Sequence, residues 1–148
     1  MFLQRVASMA VLALAYVLNQ SGQTNTLSAL AATAGAFFVF LSPILGWLGV
    51  AVTGSDTSSN SLFGVLQQQA ATKAGIDPLL LTAGNSSGGV LGKMISPQNL
   101  AIGAAAVGLA GREGDLFRKV IGWSLLLLLI MCILVYLQST SVLGWMIP

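Results

Sequence analysis

The chain alternates long apolar runs with short polar breaks, and its charges avoid the runs: none falls within residues 6–55, 94–111 or 120–148. Apolar stretches of about 20 residues are the length that a bilayer's hydrocarbon demands. The pattern therefore predicts membrane helices. Residues 1–18 read as the first, with Arg5 near its start. A basic start before an apolar run is also the layout of a signal peptide. The want of a small-residue cleavage site after Tyr16–Gln20, and the membrane character of the downstream chain, favour a retained helix. Ser21–Thr26 is a polar turn, with Thr26 or Ser28 placed to cap the next helix.

Residues 27–52 are apolar around Pro43, which predicts a kink or a division near Leu41-Ser42 into rods of roughly 22 and 15 Å. The polar run Thr53–Ser61 comes next, then Leu62–Ala74, which carries Gln67-Gln68-Gln69 and Lys73. At roughly 20 Å this last segment is short and polar for a crossing. Residues 27–75 are therefore expected to form a re-entrant hairpin with the polar run at its tip. Residues 78–111 are long enough to span but are interrupted by Asn85-Ser86-Ser87-Gly88-Gly89, by Lys93 and by Ser96-Pro97. In hydrocarbon, non-helical backbone survives only inside protein or beside water, so this is expected to be a broken membrane helix. Asp77-Pro78 and Ser96-Pro97 supply N-cap and first-turn residues for its two halves. Ala101/Ala105 and Ala104/Gly108 give the second half a small-residue face for close helix packing.

Arg112–Lys119 holds half of the six Lys and Arg residues, which marks it as cytoplasmic. Residues 117–138 form the last predicted membrane helix, and Trp145 marks its far interface, as Trp47 does in the hairpin unless it is simply packed. With Arg5 and the 112–119 cluster on one side, the crossings between them must be even in number. Two crossings plus the hairpin, or four crossings, satisfy this. The short, polar Leu62–Ala74 favours the hairpin.

Composition sharpens the class. Of 148 residues, 55% are hydrophobic and 7% charged, with mean hydropathy +0.87, against about 25% charged in soluble domains. The net charge of +2 is scattered, which gives nucleic-acid binding no support. With no histidine and Cys132 alone, Cys/His metal sites, Cys-His and Ser-His nucleophilic pairs and an internal disulfide are excluded. Ser-Lys chemistry through Lys73 or Lys93 is permitted but not suggested. Neither an enzyme nor a cofactor is expected, and Cys132 reads as a packing or lipid-facing residue.

The candidate chemistry lies in the two polar interruptions. Ser55, Thr57, Ser58 and Asn60 from the first, with Asn85, Ser86, Ser87 and Ser96 from the second, are expected to converge at mid-membrane and bind a carboxylate. Helix starts following Asn60 and Ser96 would aim backbone N–H groups and a positive dipole end at the anion. Free carbonyls preceding Gly54 and Asn85 would suit a cation or a proton carrier. Lys93 either meets a substrate anion, snorkels to the interface or pairs permanently with Asp56. Asp56 is either the proton-coupling acid or a helix or Asx-turn cap. Lys73 and Asp77 read as loop residues, and Arg112, Arg118 and Lys119 as topogenic charges.

The runs SPILGWLGVAVTGSDTSSNSLFGVLQ (Ser42–Gln67), PLLLTAGNSSGGVLGKMISPQNLAIG (Pro78–Gly103) and GREGDLFRK (Gly111–Lys119) closely resemble the C-terminal part of bacterial lactate permeases. The resemblance implies a proton-coupled symporter of lactate or glycolate in the bacterial plasma (inner) membrane, multi-pass in the lipid bilayer. It also implies an all-α integral membrane fold with half of an inverted-repeat ion-transporter-type architecture. Lactate permeases are several times longer, so the expected partner is the missing N-terminal portion of the transporter. In this reading the substrate sits between the Ser55–Asn60 tip and the Asn85–Ser96 break, and rocking of the hairpin gives alternating access. The alternative is a non-transporting membrane fragment or scaffold whose polar clusters only join helices.

Overall fold

The computed structural model describes the backbone of residues 2–147 and the side chains of residue 6 and residues 9–147. Arg5, expected to mark one membrane face, lies outside the described side chains. In chain order the helices are α1 (Phe2–Gln20), α2 (Gln23–Thr33), α3 (Ala36–Thr53), α4 (Asp56–Ala74), α5 (Pro78–Lys93), α6 (Pro97–Ala106) and α7 (Glu113–Gln138), followed by a 3-10 turn at Gly144–Met146. Among the described residues, α3 and α7 are long and apolar enough to cross a membrane, with mean hydropathies of 2.0 and 2.8.

The boundaries follow local chemistry. Asp77 caps α5 by accepting from the Leu79 N–H at 2.7 Å, with Pro78 in the first turn, and Ser96 caps α6 by accepting from Asn99 N–H at 3.4 Å, with Pro97 beside it. Between α3 and α4 only Gly54 and Ser55 intervene. Gly54 takes the left-handed conformation at φ 70° and Ser55 Oγ accepts from Ser58 N–H.

Three expectations are corrected. The apolar run after the first polar turn divides at Ala34-Gly35, not at Leu41-Ser42. Gly35 adopts φ 54° and ψ −134° there, while Pro43 is buried inside an unbroken α3. The polar run Asp56–Ser61 is already helical, so α4 starts at Asp56 rather than after Asn60. Residues 85–89 are also helical: α5 runs through them to Lys93, and the interruption is confined to Met94–Ser96. Gly88 and Gly89 serve a close approach here, not a turn.

That approach organises the bundle. Ser42 and Pro43 lie at Gly84 and Gly88, Trp47 at Gly92 and Val50 at Gly89, so α3 and α5 run parallel with their backbones touching. A Cβ on Gly46 would collide with the Asn85 carbonyl, one on Gly88 with the Pro43 carbonyl and one on Gly92 with the Trp47 carbonyl. The small-residue face thus belongs to α5 at four-residue spacing. Of the face expected there, Ala101 and Ala105 of α6 are exposed, Gly108 is exposed beyond the helix end, and only Ala104 is buried. The antiparallel α4 lies against both, with Ser59 on Gly49 and Asp56 on Gly89. Cys132 is buried, so it packs inside the bundle instead of facing lipid. Most of α7, including Trp123, Leu125, Leu129 and Ile130, points outward.

Overpacking a close helix contact typically costs about 1–3 kcal/mol. Gly88→Ala is expected to lose roughly that much stability, because a methyl group there meets the Pro43 carbonyl. Gly64→Ala, in α4 with nothing within 4 Å of the added methyl, is expected to gain roughly 0.5–1 kcal/mol. Thermal unfolding of the purified protein in detergent separates the two, and equal effects would show that α3 and α5 are not in tight contact.

Candidate functional site

Because α3 and α5 are parallel, their C-terminal ends reach the same level, where α4 begins and α5 gives way to α6. A cleft of 740 Å³ opens at this level, lined by Thr53–Ser58 from the α3–α4 turn, Lys93 from the end of α5, and Gln98, Asn99 and Ile102 from α6, with Val11 of α1 at its edge. The starts of α4 and α6 both lie in it. The first N–H groups of a helix have no intrahelical acceptor, and together with the Lys93 ammonium they make this end of the cleft rich in donors. Gln98 lies directly over Gly54, its side-chain carbon at 2.8 Å from where a Cβ would stand. On the α3 side, Thr53 Oγ donates to the Gly49 carbonyl at 2.7 Å and accepts from Ser55 N–H at 3.2 Å, tying the turn to the helix end.

Asp56 stands at the inner wall and joins the cleft to a chain of buried polar groups. Its Oδ2 accepts from Ser86 Oγ at 2.9 Å and from Asn60 Nδ2 at 3.1 Å. Asn60 Oδ1 accepts from Asn85 Nδ2 at 2.7 Å. Asn85 Oδ1 accepts from Gln67 Nε2 at 3.4 Å, and the same Gln67 nitrogen donates to the Ser42 carbonyl at 3.2 Å. Gln67 and Asn85 are fully buried. At the two extremes of the chain Asp56 Oδ1 and Gln67 Oε1 are buried without a hydrogen-bond partner. Buried polar atoms usually have one, so these two oxygens mark where a proton, a water or a reoriented donor is wanted.

The expected residues divide accordingly. Ser55, Asp56, Thr57, Ser58 and Lys93 line the cleft, and Asn60, Asn85 and Ser86 form the network behind it. Ser96 is fully buried as the α6 cap, its hydroxyl donating to the Lys93 carbonyl at 3.0 Å. Ser87 is half-buried and, among the described residues, belongs to neither group. The expected free carbonyls before Asn85 do not arise, because the helix continues through that point. Among the described residues the one ion pair is Arg112–Asp115 at 2.7 Å, so Lys93 and Asp56 share the cleft without a salt bridge.

Gln67, Gln98 and Asn99 were not anticipated. Asp56, Asn60 and Gln67 fall at spacings of four and seven residues on α4, a polar stripe along one helix face that the sequence carried. Gln98 and Asn99 stand just after the Ser96-Pro97 cap and so had to lie at a helix start. Two further side chains have firmer roles than expected. Lys73 closes α4 onto α2, donating to the backbone and side-chain oxygens of Asn25 and to Ser28 Oγ rather than floating in a loop. Trp47 is packed, donating its indole N–H to Ser124 Oγ at 2.9 Å, and Ser124 donates in turn to the Leu91 carbonyl at 2.8 Å.

The family model described as L-lactate permease matches residues 1–142. Similar proteins include the L-lactate permease of Bacillus subtilis strain 168, 58% identical over 94% of this chain and 24% of that protein. The L-lactate permease of Escherichia coli strain K12 is 54% identical over 93% of this chain and 25% of its own length. The glycolate permease of the same strain is 49% identical over 93% of this chain and 24% of its own. The chain thus spans about a quarter of the length of these relatives. No solved structure matches it.

The network's geometry sets its cost of disruption. Asn85→Leu removes the donor to Asn60 and the acceptor of Gln67, and stranding buried partners costs roughly 1–3 kcal/mol. Ser87→Ala, outside the network, is expected to change stability little. Chemical or thermal unfolding in detergent measures both, and an Asn85→Leu protein as stable as the parent would show that the network contributes nothing to the fold.

Proposed function

The chain belongs to the L-lactate permease family, and on that premise we propose that it forms part of a secondary active carrier for lactate and related 2-hydroxy monocarboxylates such as glycolate, coupled to protons. The names of its relatives support the substrate class. The observation that carries the reading is the meeting of the Ser55–Ser58 turn with Lys93, Gln98 and Asn99 around one cleft. In this reading the substrate carboxylate lies between the starts of α4 and α6, with Lys93 supplying the positive charge. Ser55, Thr57 and Ser58 offer hydroxyls from one side. Asn60, Asn85 and Ser86 hold Asp56 in place, and Ser96 holds the start of α6. Broken helices that aim half-helix ends at a substrate are a recurrent device of secondary transporters.

Charge balance gives the coupling its logic. The cleft itself supplies one carboxylate, Asp56, and one ammonium, Lys93. A bound lactate with a proton on Asp56 restores neutrality, whereas either alone leaves a net charge at membrane depth, which is costly. The empty and doubly loaded forms are thus the ones free to change access. The helical pair α3–α4, turning at Gly54-Ser55, serves as the re-entrant hairpin, and α5–α6 as the broken membrane helix. Rocking of the hairpin then exposes the cleft alternately, and the rest of the carrier, in a bacterial plasma membrane, completes the inverted repeat.

The test is a full-length carrier in which residues 1–142 replace the matching segment of the Bacillus subtilis relative. Cells expressing it are expected to accumulate labelled lactate, faster at acidic than at neutral external pH. Asp56→Asn is expected to abolish accumulation driven by a pH gradient. Lys93→Gln is expected to raise KM by roughly 10- to 150-fold, the value of about 1.5–3 kcal/mol for a lost charged hydrogen bond. A correctly inserted chimera without uptake would sink the reading, and unchanged pH dependence in Asp56→Asn would remove Asp56 as the proton carrier.

A further inference from the structure

The buried amides behind Asp56 have a direction. Gln67 donates to Asn85, Asn85 to Asn60 and Asn60 to Asp56, so each bond that links the series runs toward the carboxylate. An ionised carboxylate only accepts, and it fixes this polarity. A protonated one carries an O–H donor. With a proton on Asp56, its hydroxyl can donate to Asn60 Oδ1, which then turns its Nδ2 to Asn85 Oδ1, and Asn85 turns its Nδ2 to Gln67 Oε1. The last acceptor is the very atom left without a partner in the present direction. To present that oxygen, Gln67 must withdraw its Nε2 from the Ser42 carbonyl, the bond that now joins α4 to α3 beside Pro43. Each direction leaves one Gln67 group unpaired, the oxygen in the present one and the Nε2 in the reverse.

We propose that Gln67 is a positioning residue for proton coupling: reversal of the Gln67–Asn85–Asn60 amide series records the charge on Asp56 and releases the α4–α3 bond at Ser42, while the α4–α5 bond at Asn85 is kept with donor and acceptor exchanged. The inference rests on the reading of Asp56 given above. The proton comes from water in the cleft and stays on Asp56; the amides reorient but neither gain nor lose one. The groups facing Asp56 leave the signal unambiguous. Lys93 at the end of α5 is the other charged side chain lining the cleft, α6 brings the neutral Gln98 and Asn99, α1 brings Val11 and α3 brings Thr53. Ser86 of α5 donates to the same carboxylate oxygen and can follow either direction by rotating its hydroxyl.

In the full-length chimera, Gln67→Met keeps the side chain's length and removes both its donor and its acceptor. The ratio of lactate uptake at acidic to neutral external pH is expected to fall by roughly 3- to 10-fold, the worth of one ordinary hydrogen bond. Lactate–lactate exchange at one fixed pH is expected to be largely kept, which a merely structural lesion would not allow. If Gln67→Met fails to insert, the unsubstituted chimera with glutamine side-chain carbonyls labelled with a heavy carbon isotope decides. Its infrared spectrum is expected to change between acidic and neutral pH, and Asp56→Asn is expected to lose that change. An unaltered pH ratio in Gln67→Met, an equal loss of uptake and exchange in well-inserted protein, or a pH-silent infrared spectrum overturns the proposal. If the unsubstituted chimera takes up no lactate, or Asp56→Asn keeps its pH response, it is the functional reading that falls instead.

Discussion

The contact between the backbones of α3 and α5 is the constraint on which the other features depend. In lipid, burying apolar surface gains little, because the tails are as apolar as the side chains. Helices associate through close van der Waals contact and polar bonds, and small residues make both possible. Gly84, Gly88 and Gly92 remove the side chains that would hold α3 away, and Gly46 does the same from the other side. With the two helices parallel and touching, the end of α5 is carried to the C-terminal end of α3. The break at Met94–Ser96 then has one place to open, beside Gly54.

The bundle buries polar side chains beside its apolar core and turns large apolar ones outward. Ser42, Ser59, Gln67, Asn85, Ser96 and Ser124 are fully buried, while Trp123 is 65% exposed and Ile130 53%. Each interior polar group then needs a partner, since hydrocarbon supplies none. Several partners are backbone carbonyls on a neighbouring helix: Ser42 Oγ donates to Leu81, Ser59 Oγ to Gly46, Ser124 Oγ to Leu91. These bonds are individually modest, averaging about 0.6 kcal/mol in a membrane protein studied by mutant cycles. Their effect is to fix register and rotation. They decide which face of α4 looks inward, and so that Asp56 rather than Thr57 meets the network.

The features legible in the sequence are those whose cause is local. Asp77-Pro78 and Ser96-Pro97 announce helix starts because a cap needs only the next two or three residues. The split at Ala34-Gly35 was hidden in an apolar run, with a single glycine to mark it. Pro43 and Gly88-Gly89 misled for the opposite reason: both types usually break helices, and here each is needed for contact with the other's helix. No reading of one segment reveals that. The two polar clusters, by contrast, stood out as interruptions of apolar flanks, and they do lie side by side around Asp56, Asn60 and Ser86. Gln67 was obscured by its neighbours, since three consecutive glutamines look like a solvated face; only its spacing from Asp56 and Asn60 separates it from them.

The four acids of the chain are not equivalent, and their surroundings single out one of them without reference to kinship. Asp77 is exposed and spends a carboxylate oxygen on the Leu79 N–H. Glu113 accepts from Gly111 N–H at 3.0 Å, and its pKa is lowered by backbone hydrogen bonds from its own amide and that of Gly111. Asp115 is paired with Arg112 on an exposed turn. Each of these carboxylates meets its donor within a few residues, at an end of a helix. Asp56 differs in both respects. One of its oxygens is satisfied by side chains from two helices, and the other is buried with no donor at all. A proton placed on such a carboxyl group would alter contacts between helices and not within a single turn. That property is what a coupled carrier requires, because a proton must be felt by the elements that move.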